Sequence, residues 1–197
     1  MHEPTYTAYQ VTATSAELPV TLDVTRMHLR NEDLRFDDEY LSGIIRAAAA
    51  IVERQYGMAM LTQTIEEYHR GFPCASDAPL LLRIAPLLTV TSIQYLDGAG
   101  DTQTWDPDSW AYGHYNQTAF IVPKTGYDWP TGLSVQPNAV TITYQAGFGP
   151  KASNVPADIR AALLLMIGAM YENREDAPST LPLASQNLLH PYYRFSC

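Results

Sequence analysis

Cysteine and positive charge are both scarce in this sequence. Only Cys74 and Cys197 occur among 197 residues, which argues against a disulfide framework and fits a reducing cytoplasm. Twelve Lys and Arg stand against 21 Asp and Glu, so the formal net charge is −9. Tight binding to nucleic-acid phosphates needs clustered basic side chains, so this charge disfavours it. DNA passing along a repelling wall is still compatible with it.

Long apolar segments and targeting signals are also missing. The N-terminus lacks a basic stretch followed by an apolar one, so we expect no signal peptide. The longest apolar run, residues 161–170, is too short to span a bilayer, and it reads as a buried helix. We therefore expect no membrane association.

Motifs for catalysis, metals and cofactors are missing too. The five histidines lack metal-ligand spacing, and there is no Cys-x-x-Cys and no Gly-x-Ser-x-Gly. The Gly-rich stretch 147–151 matches neither phosphate-binding pattern and is predicted to be a hinge. Asp101, Asp106 and Asp108 faintly resemble a calcium loop but lack its required glycine and terminal glutamate, so acidic turn residues are the simpler interpretation. Asp106 and Asp108 are also the only plausible pair of carboxylates for hydrolysis. We predict no enzyme activity, no metal and no cofactor.

Two segments, residues 24–57 and 155–175, carry the apolar periodicity of helices. In the first, Asp37 is predicted to cap the main helix and Gly57 to end it in a left-handed conformation. In the second, Pro156 suits the first turn of a helix. The predicted buried positions are Leu41, Ile44, Ile45, Ala48, Val52 and Tyr56, and Ile159, Leu163, Met166, Ile167 and Met170. Both helices are apolar over a wide face, so they are expected to pack on each other.

Between these helices the pattern changes to short strands. Residues 139–144 (AVTITY) alternate most clearly, and Asp97-Gly98 is typical of a tight hairpin turn. The other predicted strands are residues 61–69, 79–84, 90–96, 102–105, 110–112 and 119–122. Six or seven short strands with turns between them favour a small antiparallel sandwich or barrel.

Together these signals predict an α+β fold. Its base is a helical bundle of N- and C-terminal helices, into which a small antiparallel β-sandwich or barrel-like subdomain is inserted, followed by an extended C-terminal tail. The predicted parts are an N-terminal arm or leading strand (residues 1–22), a helical base (23–57 and 155–176), a β-rich insertion (58–154) and a docking tail (177–197).

Two groups of residues are candidates for contact with other proteins. The tail is rich in large apolar groups, and exposed apolar surface of this kind marks interaction sites. Glu53 and Arg174 each lie near the end of an apolar helix, and they are either an ion pair between helices or subunits, or two solvated charges. The predicted docking residues are Leu188, Leu189, Tyr192, Tyr193, Arg194 and Phe195.

Several blocks of this sequence resemble a known family. They are HLR (28–30) with IIRAAAAIVERQYG after it, LLLRIAPLLTVTSIQYLDGAGDTQTW, the Trp129-Pro130 pair, AVTITYQAGFG, VPADIRAALLLMIGAMYENRE and LLHPYYR. In order and spacing they are similar to the head–tail connector (adaptor) proteins of long-tailed bacteriophages and gene transfer agents. The resemblance covers roughly residues 18–195.

The resemblance implies a structural protein of the virion neck, between capsid and tail. Such adaptors form a homo-oligomeric ring, typically of twelve copies, beneath the portal protein, and a stopper or tail-completion protein joins below. DNA passes through the lumen without sequence-specific binding. It also implies that residues 179–197 dock on the portal.

A second interpretation of the residues themselves is a carbohydrate-binding or host-recognition module of a phage particle. The aromatic-rich stretch 105–115, with Tyr127 and Trp129, is compatible with a sugar platform. The same aromatics are equally compatible with a sandwich core and a subunit contact, and we favour that interpretation.

Overall fold

The computed structural model describes residues 6–30, 38–75, 78–115, 118–174 and 182–193. The strands are β1 (Tyr6–Thr14), β2 (Gln63–His69), β3 (Leu80–Leu82), β4 (Leu87–Leu96), β5 (Thr102–Thr104), β6 (Trp110–Tyr115), β7 (Thr118–Pro123) and β8 (Val140–Ala146). The helices are α1 (Leu22–Leu29), α2 (Asp38–Tyr56), α3 (Ala157–Glu172) and α4 (Leu183–Leu189). Three-residue 3-10 turns lie at Pro107–Ser109, Ala152–Asn154 and His190–Tyr192.

The chain divides into two compact units. The first, called the β unit here, comprises Met1–Thr14 and Gln63–Gly147. The second, called the helical unit, comprises Ser15–Thr62 and Phe148–Cys197.

The β unit contains two antiparallel sheets. The five-stranded sheet has the order β1-β2-β8-β4-β5, and the three-stranded sheet has the order β3-β7-β6. Strand β8 lies at the centre of the larger sheet, pairing with β2 from Gln63↔Ala146 to His69↔Val140 and with β4 on its other side. The sheet therefore depends on pairings between segments far apart in sequence.

Alternating burial explains why these segments form strands. In β8 every second residue from Val140 to Ala146 is buried, which is the period of two expected when one sheet face covers a core. β2 and β7 show the same alternation. The largest fully buried side chains of the unit include Ile65, Leu80, Leu82, Ile93, Ile121, Ile142 and Tyr144.

The helical unit is built around α2 and α3. The predicted stripe of α2 is buried from Leu41 to Tyr56, and the following Gly57 has a φ of 61°, the left-handed conformation that ends many helices. Both predictions are thus confirmed. Segments outside the helices complete the core, since Val20, Met58, Met60, Leu61 and Val155 belong to the same buried cluster.

The predicted fold class is wrong. The described chain is a mixed α+β protein that is largely β, with eight strands in two antiparallel sheets and four short helices, and its N- and C-terminal helices form no bundle. Helices α1 and α4 have eight and seven residues, about two turns each, which is too short to line a bundle. The predicted extended tail instead contains α4 and a 3-10 turn in its described part. No helix among the described residues is long and apolar enough to span a bilayer.

Candidate functional site

The C-terminal segment that was predicted to dock is itself held by the helical unit. The Ser185 hydroxyl donates to the carbonyl oxygen of Ala162 on α3 at 3.0 Å, and Ser185 is fully buried. The Tyr192 hydroxyl lies 2.9 and 3.0 Å from the two carboxylate oxygens of Asp158, at the start of α3. These two contacts fasten both ends of the α4 region to one helix.

The hydrogen bond at Tyr192 has an electrostatic consequence. Burial raises the pKa of Tyr192 to about 12, and the neighbouring Asp158 carboxylate adds to the rise. Both effects favour the neutral phenol, because a phenolate would lose solvation and face a negative charge. The fastening is therefore intact at neutral pH and weakens only in strong base.

The predicted docking residues lie in different environments. Leu189 is fully buried in the helical core, and Leu188 and Tyr192 pack against that core while partly buried. Tyr193 is 54% exposed, with its ring edge-on to Tyr56 at 6.3 Å. Arg194 and Phe195 lie outside the described residues.

Leu183 is an exposed apolar residue of the tail that is not among the predicted docking residues. Its exposed fraction is 73%, greater than that of Tyr193. In the sequence, its position directly after Pro182 could have marked it as the first residue of a helix, here α4. Leu183 and Tyr193 are thus exposed apolar side chains on a segment whose outside also carries the polar Gln186, Asn187 and His190.

Glu53 and Arg174 lie at opposite ends of α2. The Glu53 carboxylate accepts a hydrogen bond from the Met60 amide at 2.8 Å, just past the C-terminal end of that helix. The Arg174 guanidinium lies 4.7 Å from the ring centroid of Tyr40 and 4.6 Å from that of Tyr171. Thirteen residues of helix from Tyr40 to Glu53 correspond to roughly 20 Å. These contacts do not join the two charges, and their pairing between subunits stays a prediction.

The three tryptophans of the β unit are core residues. Trp105, Trp110 and Trp129 are 8%, 6% and 6% exposed. Trp129 stacks on Phe72 at 5.1 Å, and Trp105 contacts both rings. A shallow cavity of about 480 Å³ lies beside this cluster. A sugar platform needs ring faces open to solvent, and these tryptophans do not provide them.

The acidic turn around Asp106 is explained by capping. The Asp106 carboxylate accepts the Asp108 amide at 2.9 Å and caps the 3-10 turn Pro107–Ser109. The interpretation of these carboxylates as turn residues is thus confirmed for Asp106. No group of three or more His, Cys, Asp or Glu side chains suited to a metal ion occurs within the described ranges.

A buried polar cluster in the β unit was not foreseen. Glu67 and His69 are 0% and 1% exposed, with Glu67 Oε1 and His69 Nε2 3.1 Å apart, an ion-pair distance without hydrogen-bond geometry. The other carboxylate oxygen of Glu67 accepts from the Tyr144 hydroxyl at 2.7 Å and from the Arg83 amide at 2.9 Å. The Tyr144 oxygen in turn accepts from the Ile84 amide at 3.2 Å. Glu67, His69 and Tyr144 are all buried, and the contacts of Glu67 and Tyr144 described above include the backbone amides of Arg83 and Ile84.

Comparison by sequence gives no match to a protein-family model and none to a curated protein. Comparison by structure gives close matches. A chain from the virion of a native gene transfer agent particle is 24% identical, covers 97% of both chains and has a TM-score of 0.81. Chains from the neck of an empty particle, computed with C6 symmetry, and from the neck of a native particle, computed with C12 symmetry, are 23% and 22% identical. Each of them covers 97% of both chains, with TM-scores of 0.79 and 0.76. At these identities the likeness establishes a shared fold.

Proposed function

We propose that this chain is a structural component of a virion neck, and within it the head–tail adaptor. It forms a homo-oligomeric ring of twelve copies between the portal protein and the stopper or tail-completion protein. The observation that carries the proposal is the fold match over 97% of both chains to proteins of a gene transfer agent virion and neck. A match over the whole chain means that both units are shared, and not only a common sheet.

The ring is supported by the symmetry of the similar assemblies. Necks containing chains of this fold were computed with C12 and with C6 symmetry. A cyclic ring uses heterologous contacts, in which two different faces of neighbouring copies meet. The passage of DNA through the lumen is compatible with the net charge of −9, because an acidic surface repels phosphates.

Contact with the portal is proposed for the C-terminal segment. The apolar side chains that α4 and the following turn leave outside, Leu183 and Tyr193, are available for it. Leu189 is buried in the helical core, so we assign it the role of fixing the segment there and not of contacting the portal. Leu188, Tyr192, Arg194 and Phe195 remain predicted docking residues.

Imaging of the neck tests the proposal. Particles are purified from a strain that encodes this chain and from the same strain with its gene deleted. We expect a ring of this fold between head and tail in the first sample, and heads without tails in the second. Tailed, infectious or DNA-transferring particles from the deletion strain would contradict the proposal.

The portal contact has its own test with a matched control. Tyr193→Asp places a charge on the exposed part of the C-terminal segment, whereas Tyr127→Asp does so at a tyrosine of the β unit with a similar exposed fraction, 51%. We expect only the first variant to lower attachment of the ring to heads, by tenfold or more. Equal attachment of both variants would remove the docking role of Tyr193.

The carbohydrate-binding alternative is weakened by the burial of the three tryptophans. Exposed rings remain at Tyr115 and Tyr127. Glycan-array binding that is lost in a Tyr115→Ala and Tyr127→Ala double variant is the result that would favour this alternative over the adaptor.

A further inference from the structure

Strand β1 is an edge strand of the five-stranded sheet. It has nine residues, Tyr6–Thr14, and pairs along one side with β2. The side chains of residues 8–14 are all exposed. Within the described residues, no strand pairs with its other side.

This edge lacks most of the features that protect edge strands from pairing. Lysine, proline, inward-pointing charges and bulges are the usual protection. β1 has no charged residue, no proline and no glycine. It has two register irregularities, yet the stretch between them, Ala8 to Val11, pairs residue for residue with Tyr68 to Ile65. That stretch offers a regular edge to another strand.

The inner face of β1 is also incompletely covered. Tyr9 and Val11 lie opposite Glu67 and Ile65, which are both fully buried, and directly opposed residues share a face of the sheet. Tyr9 and Val11 therefore point to the core side, but they are 37% and 42% exposed. The Arg83 guanidinium lies 5.9 Å from the ring centroid of Tyr9 and covers it in part. An added strand would extend the backbone ladder and bring side chains over Val11.

We propose that the open edge of β1, with Tyr9 and Val11, receives an extended segment of a second copy of this chain. The inference rests on the proposed ring and adds the surface through which neighbouring copies join. Each copy carries a net charge of −9, so two copies meet at lowest electrostatic cost through uncharged surface. Strand β1 itself adds no charged side chain to such a surface.

The symmetry of a ring restricts which segment pairs with β1. Contact of β1 with β1 of a second copy would be self-complementary and would stop at a dimer. In a ring, β1 must meet a different segment of the next copy. Backbone pairing then gives the contact strength, and alternate side chains such as Val11 give it specificity.

The test uses lysine, the residue by which natural sheets block edge pairing. Val11→Lys, in the regular stretch, and, separately, Thr12→Lys, at the irregularity next to it, each place a charge on the same edge strand. Val135→Lys is the matched control, because Val135 is 92% exposed and lies far from β1 in the sequence. Each variant is added to tail-less heads from a strain lacking the gene, and the copies bound per head are counted by quantitative mass spectrometry and imaging.

We expect both β1 variants to reduce ring occupancy at least tenfold, with unchanged thermal midpoints, and the control to bind like the original protein. Full rings from both β1 variants would overturn the inference and leave the proposed function standing. Full rings that fail to take up the next neck protein would also overturn it, because the edge would then receive a strand from that protein. A stable dimer of the original protein that is lost in Val11→Lys would overturn it as well. If the original protein does not bind heads, the proposed function fails and this inference fails with it.

Discussion

The two units bury polar side chains in different ways. In the helical unit the fully buried polar side chains are hydroxyls, and those of Thr25 and Ser185 donate to backbone carbonyls at 3.0 Å. In the β unit they include a carboxylate and an imidazole, Glu67 and His69. The difference follows from the backbone. Beyond its first turn, a helix pairs its amides with its own carbonyl groups. The three-residue strand β3 ends before Arg83 and Ile84, and the amides of these two residues donate to the Glu67 carboxylate and the Tyr144 hydroxyl oxygen.

The two units can also be observed separately. All three tryptophans, Trp105, Trp110 and Trp129, lie in the β unit. The four described α-helices all lie in the helical unit. Tryptophan fluorescence therefore reports on the β unit, and the helical circular dichroism signal reports on the helical unit.

The largest effect is expected from breaking the buried cluster. Glu67→Ala leaves the Arg83 amide and the Tyr144 hydroxyl without their carboxylate and should destabilise the fold by about 4 kcal/mol. Urea unfolding followed by tryptophan fluorescence measures it. Glu67→Gln is the control, since an amide oxygen still accepts those two hydrogen bonds. A loss below about 1 kcal/mol in Glu67→Ala would show that the cluster contributes little to the β unit.

A cavity in the apolar core is the corresponding test for the helical unit. Leu163 is fully buried on α3, and Leu163→Ala should cost about 3 kcal/mol through lost contacts and the cavity left behind. Helical circular dichroism in urea measures it, with the partly buried Leu164→Ala as a smaller control. If fluorescence and circular dichroism shift equally in this variant and in Glu67→Ala, the units unfold as one and the contrast between them disappears.

Removing the Tyr192 hydroxyl tests how the C-terminal segment is held. Tyr192→Phe deletes the hydrogen bond to Asp158 and should cost about 1 kcal/mol near neutral pH. Tyr127→Phe, at an exposed tyrosine, serves as the control. A variant as stable as the original protein would mean that the bond to Asp158 does not hold the segment.

The same tyrosine predicts a dependence on pH. Its pKa is about 12 in the folded protein against an ordinary value of 10.0, so the folded state holds this proton more tightly. Its contribution is complete below pH 10 and is lost as pH rises to about 12. The pKa values of Tyr56 and Tyr68 are also raised, mainly by burial, so Tyr192→Phe should reduce the alkaline loss of stability and not abolish it. An unchanged alkaline slope in the variant would contradict this assignment.

The smallest effect is expected at the guanidinium between two rings. Arg174→Ala removes the contacts with Tyr40 and Tyr171 and should cost about 0.5 kcal/mol. Arg174→Lys keeps the charge but not the planar group, so it should lose part of that amount. Thermal unfolding followed by helical circular dichroism measures both. If both variants lost the same amount of stability, and clearly more than about 0.5 kcal/mol, contact with the two rings would not be the main role of Arg174.

Much of the local structure was predictable from single segments. The predicted strands at residues 61–69, 102–105 and 139–144 correspond to β2, β5 and β8, and Gly57 ends α2 as expected. In β2 and β8 buried residues alternate with a period of two, so the residues of those strands themselves carry the signal. The start of helix α1 is set by Thr21, whose side-chain oxygen accepts the Val24 amide.

The candidate site was less predictable. Tyr192 and Leu189 were recognised as large apolar residues of the tail, but their attachment to the helical core was not. That attachment depends on residues of another helix, because Tyr192 bonds to Asp158 and the neighbouring Ser185 bonds to Ala162. Glu67 and His69 read as ordinary polar residues of a strand. Nothing in the sequence around them shows that two backbone amides near residue 83 need an acceptor.

The sequence by itself determined strands β2, β5 and β8, the apolar stripe and end of helix α2, and the acidic net charge. Tertiary structure alone decided the sheet order β1-β2-β8-β4-β5, the absence of a helical bundle and the burial of Glu67 and Leu189. The reason is physical. Periodicity is a property of neighbouring residues, whereas the partner of a strand or helix is chosen by hydrogen bonds and packing between distant segments, for which a single segment holds only half the information.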